Sequence, residues 1–303
     1  MRFNVDDLIE KNLVYVRNSP CGKYRLLRYT RKVFYDNLWY LDDRLLECRG
    51  IVVDAEDNVI MHPFTKVFNL GENGVGDNIP DNKEVLMVRK INGYLAQAAM
   101  INGELIVTSA RSFDSDFSLI AKDMINSCLL NSQIDLCDSF TYMFEICHKE
   151  DPHIVEELEG VYLIGARCMT TGVLASPKIL HAVSYAYNFE YAEYYKTTFS
   201  EAVQHARNCP HEGYMILDAN TGETLVKVKS QYYLCKKALM RIGSAQLDMM
   251  FDNPKVFKEN RLEEEFYGIH QYIIDNFSKD QYRVMKEQER RKLIEDYFND
   301  NYM

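Results

Sequence analysis

Residues 84–109, EVLMVRKINGYLAQAAMINGELIVTS, decide how this chain is read. EVLMVRK, LAQAAM and ELIVTSA are three strand-like runs of apolar and β-branched residues, separated by Ile91-Asn92-Gly93 and Ile101-Asn102-Gly103. Asn-Gly between such runs is the strongest short hairpin signal, because both turn positions tolerate positive φ. Two of them so close together predict an antiparallel meander, with Lys90 closing its first strand beside a tight turn.

Working outward, RGIVVDAEDNVIMHPF (49–64) alternates around Glu56-Asp57-Asn58 and predicts a hairpin. FTYMFEIC, GVYLIGARC, EGYMILDA and TLVKVKS read as further strands, whereas DFSLIAKDMINSCLL and EYAEYYKTTFSEAVQHARN carry helical spacing. Beyond residue 238 no strand-like run stands out and helix formers dominate, notably in DQYRVMKEQERRKLIEDYFND. The expectation is an α+β chain: residues 1–238 form a domain of antiparallel sheets, and residues 239–303 a small all-helical C-terminal domain. With no repeat and no low-complexity linker, the two should pack together.

Composition sets the bounds. With 303 residues, 47% of them apolar and including 15 Phe and 21 Tyr, the chain can bury a sizeable core. No apolar run approaches a membrane span, and MRFNVDDLIEKN is too polar for a signal peptide, so a cytoplasmic protein is expected (host cytoplasm if viral). The eight cysteines include no CxxC pair, which argues against structural zinc and against a disulfide framework. His205, Cys209 and His211 lie close together but lack a fourth ligand. A net charge of −10 requires any nucleic-acid contact to be local. The densest basic stretch near the start is GKYRLLRYTRK, with Lys23, Arg25, Arg28, Arg31 and Lys32, and its simplest reading is a solvated strand pair. The run from Arg283 to Lys292 also holds Glu287 and Glu289 and reads as a salt-bridged surface helix.

Four elements carry chemistry: Lys90-Ile91-Asn92-Gly93, Phe144-Glu145, Glu212-Gly213-Tyr214 and Lys227-Val228-Lys229. Each is weak alone, but in combination they suit nucleotidyl transfer. That reaction needs an amine aimed at an α-phosphate, carboxylates for a metal and a ribose, and cations for the phosphates. A lysine with a pKa near ~10.4 must be tuned down before it attacks. Lys227 and Lys229, on one face of a strand by alternation, are candidates to supply that field. Glu212 suits Mg²⁺, which prefers carboxylate and phosphate oxygens.

In this order the elements resemble motifs I, III, IV and V of the covalent nucleotidyltransferases, the superfamily of ATP-dependent DNA and RNA ligases and mRNA capping enzymes. Glu47-Cys48-Arg49-Gly50-Ile51-Val52 followed by Lys66-Val67-Phe68-Asn69 resembles the region before the lysine in phage-type single-stranded RNA ligases, the tRNA-repair family. The resemblance covers about residues 45–235. It implies a nucleotidyltransferase (ATP-grasp-like) fold and an ATP-dependent ligase that joins RNA 5′-phosphate and 3′-hydroxyl ends through lysyl-AMP and RNA-adenylate, with Mg²⁺ or Mn²⁺. It implies that Lys90 carries AMP and that Lys227 and Lys229 hold the α-phosphate. Arg49 and Lys66 would meet the phosphates, Phe68 the adenine, Glu145 the ribose and Glu212 the metal. Asn92 and Gly93 would shape the nucleotide turn, and Arg111 would match the basic residue of motif Ia. Asn92 stands where the family often has Asp, and Tyr94 where it often has Ser. RNA is the implied partner, with no membrane and no obligate protein partner. The rivals are a DNA ligase or GTP-dependent capping enzyme, both usually with an OB-fold after motif V, and a non-catalytic RNA-binding protein.

Overall fold

The computed structural model describes residues 1–302. The N-terminal part is a four-stranded antiparallel sheet, β1 (Val14–Asn18), β2 (Arg25–Tyr29), β3 (Arg49–Val53) and β4 (Val59–Met61), in sequential order. Three short helices, α1 (Asp6–Glu10), α2 (Arg31–Tyr35) and α3 (Arg44–Glu47), surround it. The 49–64 hairpin forms as expected: Val52 pairs with Met61 and Asp57 supplies the positive φ, 65°, of the turn. The basic stretch is only half strand, because Arg31 and Lys32 open α2.

The remaining nine strands make two sheets. β5 (Glu84–Arg89), β11 (Tyr194–Thr198), β12 (Gly213–Asp218) and β13 (Thr224–Lys229) are ordered β11-β5-β12-β13. The other sheet has β6 (Tyr94–Ile101), β7 (Glu104–Ser109), β8 (Phe140–Cys147), β9 (Gly160–Cys168) and β10 (Glu190–Tyr191), ordered β10-β9-β8-β6-β7. All pairings are antiparallel except β10 with β9.

The expected meander is therefore half right. Asn102-Gly103, at φ 52° and 77°, closes a true hairpin between β6 and β7. Asn92-Gly93 does not: neither residue takes a positive φ, and the chain crosses there from one sheet to the other. Gly93 is needed for space, since a Cβ on it would lie 2.3 Å from the Ile146 carbonyl oxygen. The stretch 190–208 also divides. Tyr194–Thr198 pairs with β5, and the helix begins only where Thr198 and Glu201 form a reciprocal cap.

Helices α4 (Asp116–Ser132), α5 (Pro177–Tyr187) and α6 (Phe199–Asn208) cover the sheets. All described residues from α7 (Gln231–Met240) onward that take regular structure are helical: α8 (Ser244–Asp252), α9 (Pro254–Arg261), α10 (Tyr267–Asn276), α11 (Lys279–Val284) and α12 (Glu287–Tyr302), with one 3-10 turn between α9 and α10. The division expected at 238/239 falls inside α7. No helix among the described residues is long and apolar enough to cross a membrane.

The C-terminal helices share a core with the sheet-rich part, because Ile154, on the loop between β8 and β9, inserts beside Leu239, Met250, Ile273 and Ile294. Lys236 in α7, its side chain 2% exposed, pairs with Glu295 of α12 at 2.5 Å. The Arg283–Lys292 run is more than a salt-bridged surface. Arg283 does pair with Asp248, but Arg290 is buried and donates to the carbonyls of Met240 and Tyr282. Arg291 reaches out of the helical cluster and donates to the carbonyls of Pro152 and Ile154. Ile154→Ala should therefore cost about 2–4 kcal/mol through cavity formation. It should do so in a single cooperative denaturation followed by both near- and far-UV circular dichroism. Two separated transitions in the wild type would contradict a shared core.

Candidate active site

The site is built where the five-stranded sheet faces the β11-β5-β12-β13 sheet. On β5, Val85 and Met87 enter the core, so Leu86 and Val88, and Lys90 just beyond the strand, point the other way. On β13, Val226 and Val228 are buried and Lys227 and Lys229 turn to the opposite face. On β8, Phe144 and Ile146 face the core under α4, leaving Glu145 directed at the gap.

Glu212, immediately before β12, is the hub. Its side chain is 3% exposed; one oxygen accepts from Lys90 Nζ at 2.8 Å and the other lies 3.0 Å from Lys229 Nζ. Asn92 Nδ2 donates to the same carboxylate at 2.7 Å, and Asn92 Oδ1 accepts the Val155 N–H at 2.8 Å. Val155 lies on the loop that Arg291 grips, so the C-terminal helices reach Lys90 through an unbroken hydrogen-bonded path. Glu145 accepts the Gly93 N–H at 3.1 Å. Tyr233, at the start of α7, lies under the Lys229 ammonium, 4.5 Å from ring centroid to Nζ.

A second group is purely cationic at its centre. Lys227, Lys66 and Arg49 lie close enough to repel one another. Lys227 Nζ and Lys66 Nζ both donate to the Val67 carbonyl, at 3.0 and 3.3 Å, and Glu72 partly compensates Lys66. Beside them opens a cavity of about 280 Å³ lined by Arg49, Lys90, Glu145 and Lys227 at its polar end, with an apolar slot of Val88, Ile164, Leu174, Met215 and Leu217.

The charges are set by burial against pairing. Burial works against the Lys90 ammonium, but Glu212 and Glu145 outweigh it and hold Lys90 above the ordinary lysine value. The expectation that Lys90 is tuned down is not met. Glu212 is held below its usual range, because Lys90 and Lys229 overcome the cost of burial. Glu145 has burial pushing its pKa up to about 7, with Lys90 opposing. Among the described residues Lys227 makes no ion pair: burial first, then Lys66, Arg49 and Lys229, lower it to about 7, with Glu72 opposing.

The structure thus brings Lys90, Asn92, Gly93, Glu145, Glu212 and Lys229 into one network, with Arg49, Lys66 and Lys227 adjoining it. Two expected residues sit elsewhere. Phe68 does not line the cavity; its ring lies under Lys66 Nζ at 3.7 Å and edge-on to Trp39, in the N-terminal core. The aromatic wall is Phe64, seated over Gly165, where a Cβ would come within 2.3 Å of the ring. Arg111 lies outside the cavity, in a groove with Arg28. Sequence reasoning also missed Arg89, paired with Glu157 at 2.7 Å beside Lys90, and Arg291. Contacts this distant along the chain leave no local pattern. His205 and His211 both meet the Tyr214 hydroxyl, and among the described residues no group of three His, Cys, Asp or Glu is placed to hold a metal.

Comparison with known proteins gives this geometry a class. The fold is that of an archaeal ATP-dependent RNA ligase (TM-score 0.56, 15% identity, 96% of this chain and 75% of that one). A putative ATP-dependent DNA ligase from Aquifex aeolicus is similar to the same degree (TM-score 0.55, 14% identity, 98% and 79%). The model of the RNA ligase family matches residues 47–236, and the chain belongs to that family. RNA ligase 1 of Bacteriophage TS2126 is 32% identical over 146 residues, which is 44% of this chain and only 37% of that relative's length.

The electrostatics are directly measurable. With lysines labelled at Cε, the Lys227 resonance should titrate near pH 7, well below an exposed lysine. Lys66→Met should move it upward by removing one repelling cation. A Lys227 midpoint in the ordinary lysine range would contradict the arrangement.

Proposed function

We propose that this chain is an ATP-dependent RNA ligase that carries AMP on Lys90. The observation that supports it best is the placement of the Lys90 amine, coupled to a buried carboxylate, at the mouth of a cavity with cations at one end and an apolar slot at the other. A nucleoside triphosphate has that polarity: phosphates for Arg49, Lys66 and Lys227, and a purine for the slot of Val88, Ile164 and Met215. Phe64 is better placed for the base than Phe68. Glu145 is left for the ribose hydroxyls.

The reaction runs in three displacements. The Lys90 amine attacks the α-phosphate of ATP, forming a P–N bond and releasing pyrophosphate. The 5′-phosphate of an RNA then displaces Lys90 and takes the AMP in a pyrophosphate linkage. Last, a 3′-hydroxyl attacks that 5′-phosphate, making the phosphodiester and releasing AMP. Lys227 and Lys229 stabilise charge on the α-phosphate oxygens, fixed in advance by their strand. Lys227 is partly neutral near pH 7, and an arriving phosphate favours its protonated form. Lys90 must lose a proton before it attacks, and its ammonium donates to the Glu212 carboxylate with Nζ 2.8 Å from the oxygen.

Glu212, close enough to Glu145 for the two to repel one another, offers a carboxylate to a divalent cation. Mg²⁺ or Mn²⁺ fits such a site, because these ions take one or two carboxylates and fill their shell with phosphate oxygens and water. When bound, the ion would neutralise phosphate charge and compete with Lys90 for Glu212.

The substrate is proposed to be RNA with a 5′-phosphate and a 3′-hydroxyl, as in a nicked tRNA. The C-terminal helices support the catalytic loop through Arg291 and are the proposed source of preference among broken RNAs. The test is incubation with α-labelled ATP and Mg²⁺ on protein stripped of bound AMP, followed by a denaturing gel. Wild type should carry label and Lys90→Ala none, and labelled wild type should circularise a 5′-phosphorylated RNA. No label on wild type from ATP, GTP or NAD would overturn the reading in favour of a non-catalytic RNA-binding protein.

A further inference from the structure

The N-terminal sheet carries a basic groove outside the catalytic cavity. Arg17 of β1, Arg28 of β2, Arg31 of α2 and Arg111 after β7 line it, with Phe34 and Tyr35 on one side. At about 1350 Å³ against about 280 Å³ it is far larger than the catalytic cavity. It suits an extended chain rather than a mononucleotide.

The pairing of charges sets it apart. Arg25 and Arg44, which do not line the groove, are matched to Asp57 and to Asp7 and Asp42. Among the described residues Arg17, Arg31 and Arg111 make no ion pair, and Arg28 donates only to the Ala110 carbonyl, at 2.8 Å. The one carboxylate on the rim, Asp114, is occupied by the Ser112 hydroxyl at 2.7 Å. A chain with 45 acidic and 35 basic residues has carboxylates to spare, so four arginines left together without one call for an external anion. Phe34 and Tyr35 are 51% and 76% exposed although large and aromatic, with ring centroids 5.4 Å apart. Cations beside exposed rings are the elements that bind single-stranded nucleic acid, the cations on phosphates and the rings on bases.

Arg28 is the cross-strand partner of Arg49, which lines the catalytic cavity. Two like charges side by side on adjacent strands are unfavourable unless an anion bridges them. We infer that this groove is the track for the single-stranded RNA, holding its backbone on Arg17, Arg28, Arg31 and Arg111 and stacking bases on Phe34 and Tyr35, so that its end passes Arg28 and Arg49 to reach Lys90. The inference rests on the RNA-ligase reading above and adds where the polymer lies.

The test uses fluorescence anisotropy with a short single-stranded oligoribonucleotide that bears a 5′-hydroxyl and cannot be adenylylated. AMP loading is measured in parallel on the same preparations. Arg17→Glu/Arg31→Glu changes two exposed residues and should load AMP like wild type. It should bind the oligonucleotide at least about tenfold more weakly, with the salt dependence of log K reduced by about 1.4 for two lost phosphate contacts. Phe34→Ala/Tyr35→Ala should weaken binding by about tenfold with the salt slope unchanged. Wild-type affinity and slope in both variants would overturn the groove as the RNA track. So would a wild type that loads AMP without binding the oligonucleotide, which would leave the groove to a protein partner. A wild type that takes no AMP, with binding still lost in the variants, would overturn the ligase reading and uphold the groove.

Discussion

The buried carboxylate of Glu212 is the constraint on which the rest of the structure depends. An ionised carboxyl taken out of water is costly unless it is paired and hydrogen-bonded, and breaking one side of such a set costs about 3–5 kcal/mol. Here the partners come from three places in the chain: Lys90 after β5, Asn92 on the crossover between sheets, and Lys229 at the end of β13. Satisfying Glu212 therefore fixes the end of one strand, the path between the two sheets and the face of another strand. The Lys90 amine is positioned by the requirement to neutralise a buried charge.

The same constraint joins the C-terminal helices to the chemistry. Asn92 is held from the far side by the Val155 N–H, Ile154 is anchored in the helical core, and Arg291 caps the carbonyls of that loop. A change in how the helices pack would reach Lys90 in few contacts. The N-terminal sheet contributes differently. It adds Arg49 to the cation group and presents its unpaired arginines outward.

Much of this was legible in the sequence, for definite reasons. Strand periodicity places Lys227 and Lys229 on one face opposite Val226 and Val228, and the shift from alternation to helix formers marks the C-terminal helices. The Asn-Gly at 92–93 misled, because the dipeptide is also useful where a backbone must come close and a side-chain amide must bridge. Gly93 against Ile146 and Asn92 against Glu212 are contacts to residues more than fifty positions away, invisible to a local rule. Phe68 and Phe64 could not be told apart by type or spacing, and only the packing on Trp39 and over Gly165 separates them. Tyr194–Thr198 carries helical spacing yet forms a strand because β5 offers it an edge.

The ammonium of Lys90 carries the central claim, since burial and the Glu212 carboxylate push its titration in opposite directions. The direct measurement is its pKa, followed by NMR on Cε-labelled lysine in wild type and in Glu212→Gln without nucleotide. The midpoint should lie above the ordinary lysine value in wild type and below it in the variant, where burial acts with its main opponent removed. An unchanged midpoint on losing the Glu212 charge would contradict the account, because Lys90 would then owe neither its position nor its protonation to that carboxylate.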